Sequence, residues 1–245
     1  MQFQKDEVIR IEFGGLLQIA TRSMPGDLSQ WVMKHYDPEI SQLVIPERGK
    51  IPVDAASVHR IWGLPNRGRK VCYENRADYT SKMYKILKIN TKGSPTLISW
   101  CKMIKDMAGA ADNNFLRAWL AVAFSCFLAP TTSLNISPRY FPAVMHVDAI
   151  TETNVCQFVV DQLKLAFAGA GDKNAVCCCV MHLLVCLTCS VSPFHSFSSS
   201  CSRCLLDSFF FFLFSFLPHA AVISGLIGCG RTDRKHGSKS VGLGF

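Results

Sequence analysis

Two pairs of closely spaced cysteines are the residues most obviously suited to chemistry. Cys186 and Cys189 form one Cys-x-x-Cys pair, and Cys201 and Cys204 form the other. Four thiolates with this spacing can hold Zn²⁺ in a tetrahedral site. However, the loop between the pairs is shorter than the roughly 15 to 20 residues usual in such sites, and most of the 12 cysteines crowd into the last third of the chain. Composition alone accounts for both pairs, so a zinc site is the weaker interpretation.

A second group of side chains has the charge needed to contact phosphates. It comprises Arg60, Arg67, Arg69, Lys70 and Arg76, with Trp62 and Tyr73 between them. Basic side chains that share one face bind nucleic-acid backbones, whereas the same residues spread around a loop are simply solvated. The net charge of +8, from 26 Lys and Arg against 18 Asp and Glu, suits nucleic acid or anionic lipid and equally suits a soluble protein. We predict these five basic residues as a nucleic-acid-binding surface.

The sequence contains no arrangement typical of an enzyme. A phosphate-binding glycine loop, an HExxH helix and a GxSxG turn are all absent. Cys156 and His146 would act as nucleophile and base only if the fold brought them together, and nothing around them marks an oxyanion site. We therefore predict a protein without catalytic residues and without a cofactor.

The elements that carry these residues are predicted to be mainly helical. Asp27, Asp54 and Asp112 are placed to accept the first free N–H groups of three helices, and Gly63 followed by Pro65 ends the second of these. Apolar residues recur with the helical period in six segments. These are residues 28–35, 55–62, 78–88, 95–107, 113–128 and 153–167.

A short β-hairpin is predicted between the first two helices, because apolar Leu43–Ile45 and Ile51–Val53 flank the turn-forming Pro46–Gly49. The helix over residues 113–128 is apolar nearly all round, so we expect it at the buried centre. The fold class is therefore mainly α, an irregular helical domain over residues 1–184 with a hairpin near residues 43–53. Its core is predicted to include Trp31, Trp62, Trp100 and Trp119.

Residues 185–245 form a low-complexity hydrophobic tail rich in Cys, Phe, Ser and Leu. Translation of a pyrimidine-rich non-coding tract would give such a composition, so one hypothesis is read-through of an unspliced intron. The alternative is a genuine membrane segment. Residues 208–228 are uncharged and close to the roughly 20 residues that span a bilayer, and basic residues follow them, although Pro218 and His219 weaken this interpretation.

One stretch of the chain resembles a known family. The resemblance rests on Trp31, on the segments Leu43–Pro46 and Gly49–Val53, on Val58–Pro65, and on Gly68 and Val71. It is similar to the aminotransferase-like plant mobile domain, found in transposon-derived plant proteins, and extends over residues 13–184. The resemblance implies a tryptophan-bearing helix, two short strands and a helix that ends in a Gly-Leu-Pro turn.

The same resemblance implies a function of a general kind. Proteins of this family act in the nucleus, and related reading frames often continue into a cysteine protease of the ubiquitin-like-protein-specific class. This chain contains no such domain, so no catalytic residue is transferred, and no lysine stands in a pyridoxal-phosphate setting.

The sequence thus predicts a non-enzymatic module for protein or nucleic-acid contacts. Its expected location is nuclear or cytoplasmic, because Met1 is followed by polar residues rather than by a secretion signal. Two alternatives stay open, a membrane-anchored protein held by residues 208–228 and a truncated fragment of a cysteine-protease transposon protein.

Overall fold

The computed structural model describes residues 2–19, 26–90, 93–107, 109–130, 133–168 and 179–191. Helices make up most of this part of the chain, and the few strands are short. The predicted mainly α fold class is therefore confirmed. Of the tail predicted over residues 185–245, residues 185–191 belong to a described helix, whereas residues 192–245, with Cys201, Cys204 and residues 208–228, lie outside the described residues, so the hypotheses about them stay predictions.

The described residues contain a series of mostly short α-helices. They are α1 Gln2–Arg10, α2 Gly26–His35, α3 Ala55–Trp62, α4 Ala77–Ile86, α5 Leu97–Asp106, α6 Asn113–Ala123, α7 Phe141–Met145, α8 Val155–Phe167 and α9 Val180–Val191. They are joined by three 3₁₀ segments, Gly14–Gln18, Pro138–Tyr140 and Val147–Glu152, and by one π-helical turn, Phe124–Leu128. None of the described helices is long and apolar enough to cross a membrane.

The predicted hairpin is present and forms part of a three-stranded antiparallel sheet. Its strands are β1 Tyr36–Asp37, β2 Gln42–Ile45 and β3 Gly49–Pro52, with β2 in the middle. Leu43 pairs with Tyr36 on one side and with Ile51 on the other, and its side chain is buried. Two further strands, β4 Arg69–Lys70 and β5 Thr153–Asn154, form a separate parallel pair.

Helix α6 lies at the centre of the core, as its apolar sequence predicted. Almost every residue from Phe115 to Ala123 is buried, and the helix packs against α1, α5 and α7. Arg117 is the half-buried exception, and its guanidinium donates hydrogen bonds to the carbonyl of Met145 and the side chain of Asn114. Asp112 caps the helix as predicted, by accepting hydrogen bonds from two backbone N–H groups.

The start of α5 differs from the prediction. The helix begins at Leu97 rather than at Pro95, because Thr96 is its cap and accepts a hydrogen bond from the N–H of Ser99. The carbonyl of Pro95 is taken by the N–H of Ile136, in a short antiparallel contact between residues 95–97 and 134–136. A pairing partner about 40 residues away therefore sets the boundary of this helix.

The predicted tryptophan core is correct for three residues of four. Trp62, Trp100 and Trp119 are buried. Trp31 is only partly buried and stacks on the ring of His35, with ring centroids 4.0 Å apart. Trp31 therefore lies at the edge of the core rather than inside it.

Candidate functional site

Helix α3 carries the first of the predicted basic residues, and local interactions fix it at both ends. At its start, the Asp54 carboxylate accepts a hydrogen bond from the N–H of Ser57, and the Ser57 hydroxyl accepts one from the N–H of Asp54. At its end, Gly63 has the left-handed conformation, with φ of 64°. Arg60 is exposed on this helix. Burial raises the pKa of the Cys189 thiol, and the charge of Arg60 partly offsets this effect.

The next residues, 66–76, form the basic loop, which depends on distant backbone contacts. Gly68 has φ of 80°, and a Cβ built on it would lie 2.0 Å from the carbonyl oxygen of Glu152. Directly after it, β4 pairs with β5, while the N–H of Cys156 donates to the carbonyl of Pro65. Arg69 and Lys70 are thus held against the start of α8, with both side chains exposed.

Three of the five predicted basic residues are paired with carboxylates. Arg67 forms a two-pronged ion pair with Glu12, and this hydrogen bonding raises the pKa of the arginine. Lys70 lies 3.8 Å from Asp161. Arg76 is paired with its near neighbour in the chain, Asp78, at 3.1 Å. Much of the positive charge of the basic loop is therefore compensated within the protein.

Helix α4 presents lysines that the sequence analysis overlooked. Lys82 and Lys85 are exposed on it, and Lys88 is exposed just beyond its end. Within the described residues, none of the three has a carboxylate within ion-pair distance. A spacing of three residues places side chains on the same side of a helix, and this signal is visible in the sequence.

An aromatic ring lies at the beginning of this lysine row. The Arg76 guanidinium is 4.7 Å from the ring centroid of Tyr79, and the Lys82 ammonium is 5.5 Å from the same centroid. Cations at such distances are attracted to the ring face. We define the α4 surface as Arg76, Tyr79, Lys82, Lys85 and Lys88, a set of four basic residues, of which Arg76 is paired with Asp78, and one aromatic residue.

A second site joins a serine, a histidine and a cysteine where α3 packs against α9. The ring of His182 is fully buried, with its Nε2 atom 3.1 Å from the Ser57 hydroxyl and 3.5 Å from the Cys186 sulfur. Its Nδ1 atom accepts a hydrogen bond of 3.1 Å from the indole N–H of Trp62. In composition this cluster resembles a catalytic dyad.

The hydrogen bonds of the cluster are those of a structural contact. The indole nitrogen of Trp62 can only donate, so Nδ1 of His182 has no proton and the neutral ring carries it on Nε2. Nε2 then donates to Ser57, whose own hydroxyl donates to the carbonyl of Asp54 at 2.7 Å. A histidine in this state cannot accept the serine proton. Burial also lowers the pKa of His182 to about 3, so the ring is neutral at physiological pH.

The buried thiols are poor nucleophiles for a similar reason. Burial raises the pKa of Cys126, Cys156, Cys179 and Cys186 to about 12 in each case. Cys156 donates to the carbonyl of Leu64, whereas His146 is an exposed residue between α7 and the 3₁₀ segment that follows. No contact between Cys156 and His146 occurs in the described residues, and the thiolate form that nucleophilic attack requires is strongly disfavoured.

The first pair of the predicted zinc ligands lies on α9, where Cys186 is buried and Cys189 is partly buried, one turn further along. The second pair lies outside the described residues. Among the residues that the structure describes, no three or more His, Cys, Asp or Glu side chains are grouped to hold a metal ion. The zinc site thus stays a prediction.

Comparisons with known proteins give one match. No curated protein and no solved structure matches the chain. A family profile described as a domain of unknown function, DUF8566, matches residues 1–185. Because this match covers well over half of the sequence, the chain belongs to the DUF8566 family.

Proposed function

We propose that this domain is a non-enzymatic module that binds nucleic acid through its α4 surface. The observation that carries the proposal is the contrast between two sets of basic residues. Arg67 and Lys70 in the basic loop are paired with carboxylates, whereas Lys82, Lys85 and Lys88 are exposed without such partners in the described part of the chain. An exposed cation without an internal partner is free to bind an external anion.

A nucleic acid suits this surface better than a single small anion. The lysines are spaced along the helix rather than gathered around one point, and a nucleic-acid backbone offers phosphates in a row. Tyr79 lies beside them, and aromatic side chains next to cations are the usual way to hold an unpaired base. We therefore expect single-stranded nucleic acid to bind at least as tightly as a duplex.

The same structure supports a role without catalysis. The one serine–histidine pair in the described residues is buried, and the proton positions required by Trp62 prevent His182 from acting as a base. The raised pKa of the buried thiols disfavours cysteine chemistry as well. Binding rather than turnover is the function that these side chains favour.

Kinship with the aminotransferase-like plant mobile domain is a further part of the proposal. It is supported by the hairpin of β2 and β3 between α2 and α3 and by the end of α3 at the left-handed Gly63, although the strand β1 precedes the hairpin as a third short strand. A nucleic-acid partner would favour the nucleus over the cytoplasm as the site of action. A solved plant mobile domain structure with a different order of elements over this stretch would contradict the kinship.

The binding test uses the full chain and fluorescently labelled 20-nucleotide DNA, single-stranded and duplex. Fluorescence anisotropy should show binding with a constant whose logarithm falls linearly with the logarithm of the salt concentration, with a slope of about −0.7 to −0.9 per phosphate contacted. Replacing Lys82, Lys85 and Lys88 by alanine should weaken binding and make this slope less steep by about 2 to 3.

Two variants with the same loss of charge separate the sites. The triple alanine variant of Arg67, Arg69 and Lys70 should weaken binding less than the α4 variant, because two of its side chains are already paired with carboxylates. A control that replaces the exposed Lys34, Arg48 and Lys50 by alanine should bind like the wild type. Equal losses in all three variants would show a non-specific charge effect, and no binding at 50 mM salt would refute the proposed function.

A further inference from the structure

Two of the large apolar side chains exposed in the described residues lie on segments that are joined by backbone contacts. Ile98 is 80% exposed and Leu134 is 62% exposed. The N–H of Leu97 donates to the carbonyl of Leu134 at 2.7 Å, and Thr96 and Asn135 form a β-bridge beside it. The backbone thus fixes Ile98 and Leu134 next to each other at the N-terminal end of α5.

Two lysines follow this apolar pair along the same side of α5. Lys102 and Lys105 are exposed, four and seven residues after Ile98, which is the spacing of one stripe on a helix. At a rise of about 1.5 Å per residue, their backbone positions lie roughly 6 and 10 Å behind the apolar tip. Neither lysine has a carboxylate at ion-pair distance within the described residues.

We infer that the α5 tip, defined as Ile98, Leu134, Lys102 and Lys105, binds the surface of an anionic lipid bilayer. The apolar pair would enter the boundary between headgroups and acyl chains, which peripheral segments reach to a depth of about 5 to 10 Å. The lysines, a turn or two behind, would then lie at the level of the lipid phosphates. The arrangement therefore matches the order of apolar and charged layers in a membrane.

A bilayer fits this surface better than a protein partner does. The two apolar side chains project into solvent, and their apolar area is small compared with the roughly 800 Å² that each partner contributes to a stable protein interface. A lipid surface needs no matching pocket, because its headgroups rearrange around a projecting side chain. The α5 tip is also distinct from the α4 surface, so this inference does not depend on the proposed function.

Sedimentation of the full chain with sucrose-loaded vesicles tests the inference. Vesicles of phosphatidylcholine alone measure any attachment through other parts of the chain, including residues 192–245. Vesicles with 30% phosphatidylserine should bind additional protein, and this increment should fall with salt. Each lysine near an anionic surface changes binding about fivefold, so Lys102→Glu with Lys105→Glu should reduce the increment at least roughly 25-fold.

A second variant, Ile98→Ser with Leu134→Ser, tests the apolar pair without changing the charge. It should also remove most of the additional binding. Because both substituted positions are exposed, the circular dichroism spectrum should stay unchanged. The charge-matched control, Lys34→Glu with Lys50→Glu, should retain the increment. The inference is overturned if phosphatidylserine adds no binding, if both α5 variants keep the increment, or if the control loses it equally. Normal DNA binding by both α5 variants would show that the two surfaces are separate.

Discussion

The hairpin and α3, residues 42–65, are joined directly to the basic loop, residues 66–76, but different kinds of interaction fix these two regions. The start of α3 and the register of the hairpin are set by contacts between near neighbours in the chain, namely the cap of Asp54 on Ser57 and the pairing of β2 with β3. The second region contacts residues that are far away in sequence, among them Glu12 and Glu152. Local contacts can be read from a sequence pattern, whereas distant ones require the fold.

The test with the largest expected change in unfolding free energy replaces one glycine in each region. Gly68→Ala should lower the unfolding free energy by about 3 to 5 kcal/mol for two reasons: the backbone there is left-handed, and the new Cβ would clash with the Glu152 carbonyl. Gly63→Ala should cost only about 1 to 2 kcal/mol, since its Cβ would meet nothing within 4 Å and only the backbone conformation is strained. Urea unfolding of both variants, followed by tryptophan fluorescence, measures the two values. Equal costs would contradict the close approach of the loop to Glu152.

The second test concerns the distant polar contact on which α3 depends. Because burial holds the pKa of His182 at about 3 in the folded protein, while an unfolded histidine titrates near 6.5, the unfolded chain binds an extra proton between these two values. The contribution of His182 is therefore complete above about pH 6.5 and is lost as the pH falls toward 3. The expected slope is up to about 1.4 kcal/mol per pH unit.

The variant His182→Asn isolates this contribution. Its unfolding free energy, measured in urea from pH 7 to pH 5, should fall less steeply than that of the wild type, by about 2 kcal/mol over this range. The matched control His146→Asn replaces an exposed histidine outside the Ser57–His182–Cys186 cluster. Parallel curves for wild type and His182→Asn would show that the buried ring is protonated in the folded protein and that the hydrogen bond from Trp62 is broken.

The parts of the fold that could be predicted share a local physical cause. The hairpin followed from apolar runs around a turn, and α3 followed from its capping aspartate and from Gly63, all within a few residues of one another. The buried position of α6 followed from a helix without a polar face. In each case the side chains that decide the structure and the backbone that they act on belong to the same short segment.

The features that could not be predicted depend on pairings across the chain. No pattern near Arg67 in the sequence predicts Glu12 as its partner, and the contact between Ser57 and His182 spans 125 residues. The α4 lysines are the opposite case, since their regular spacing is visible within one short segment of the sequence.

The third test weakens a local contact at the start of α3. Asp54→Ala should lower the unfolding free energy by about 1 kcal/mol, because it removes the acceptor for the N–H of Ser57 at the start of α3. Asp54→Asn keeps a side-chain oxygen at this position and should lose clearly less. Both values come from the same urea titration. If Asp54→Ala were neutral, the cap would contribute nothing and α3 would be held by its packing on α8 and α9 alone.

The smallest effect is expected where the basic loop makes its most conspicuous charged contact. Arg67→Ala should leave the urea midpoint unchanged, because the Arg67 side chain is 57% exposed and solvent screens its ion pair with Glu12. The loop would then be fixed by the Gly68 backbone rather than by charge. A loss as large as that of Gly68→Ala would reverse this conclusion. Glu12→Gln completes the comparison, since it leaves Arg67 without its anion and should therefore strengthen DNA binding, most visibly at low salt.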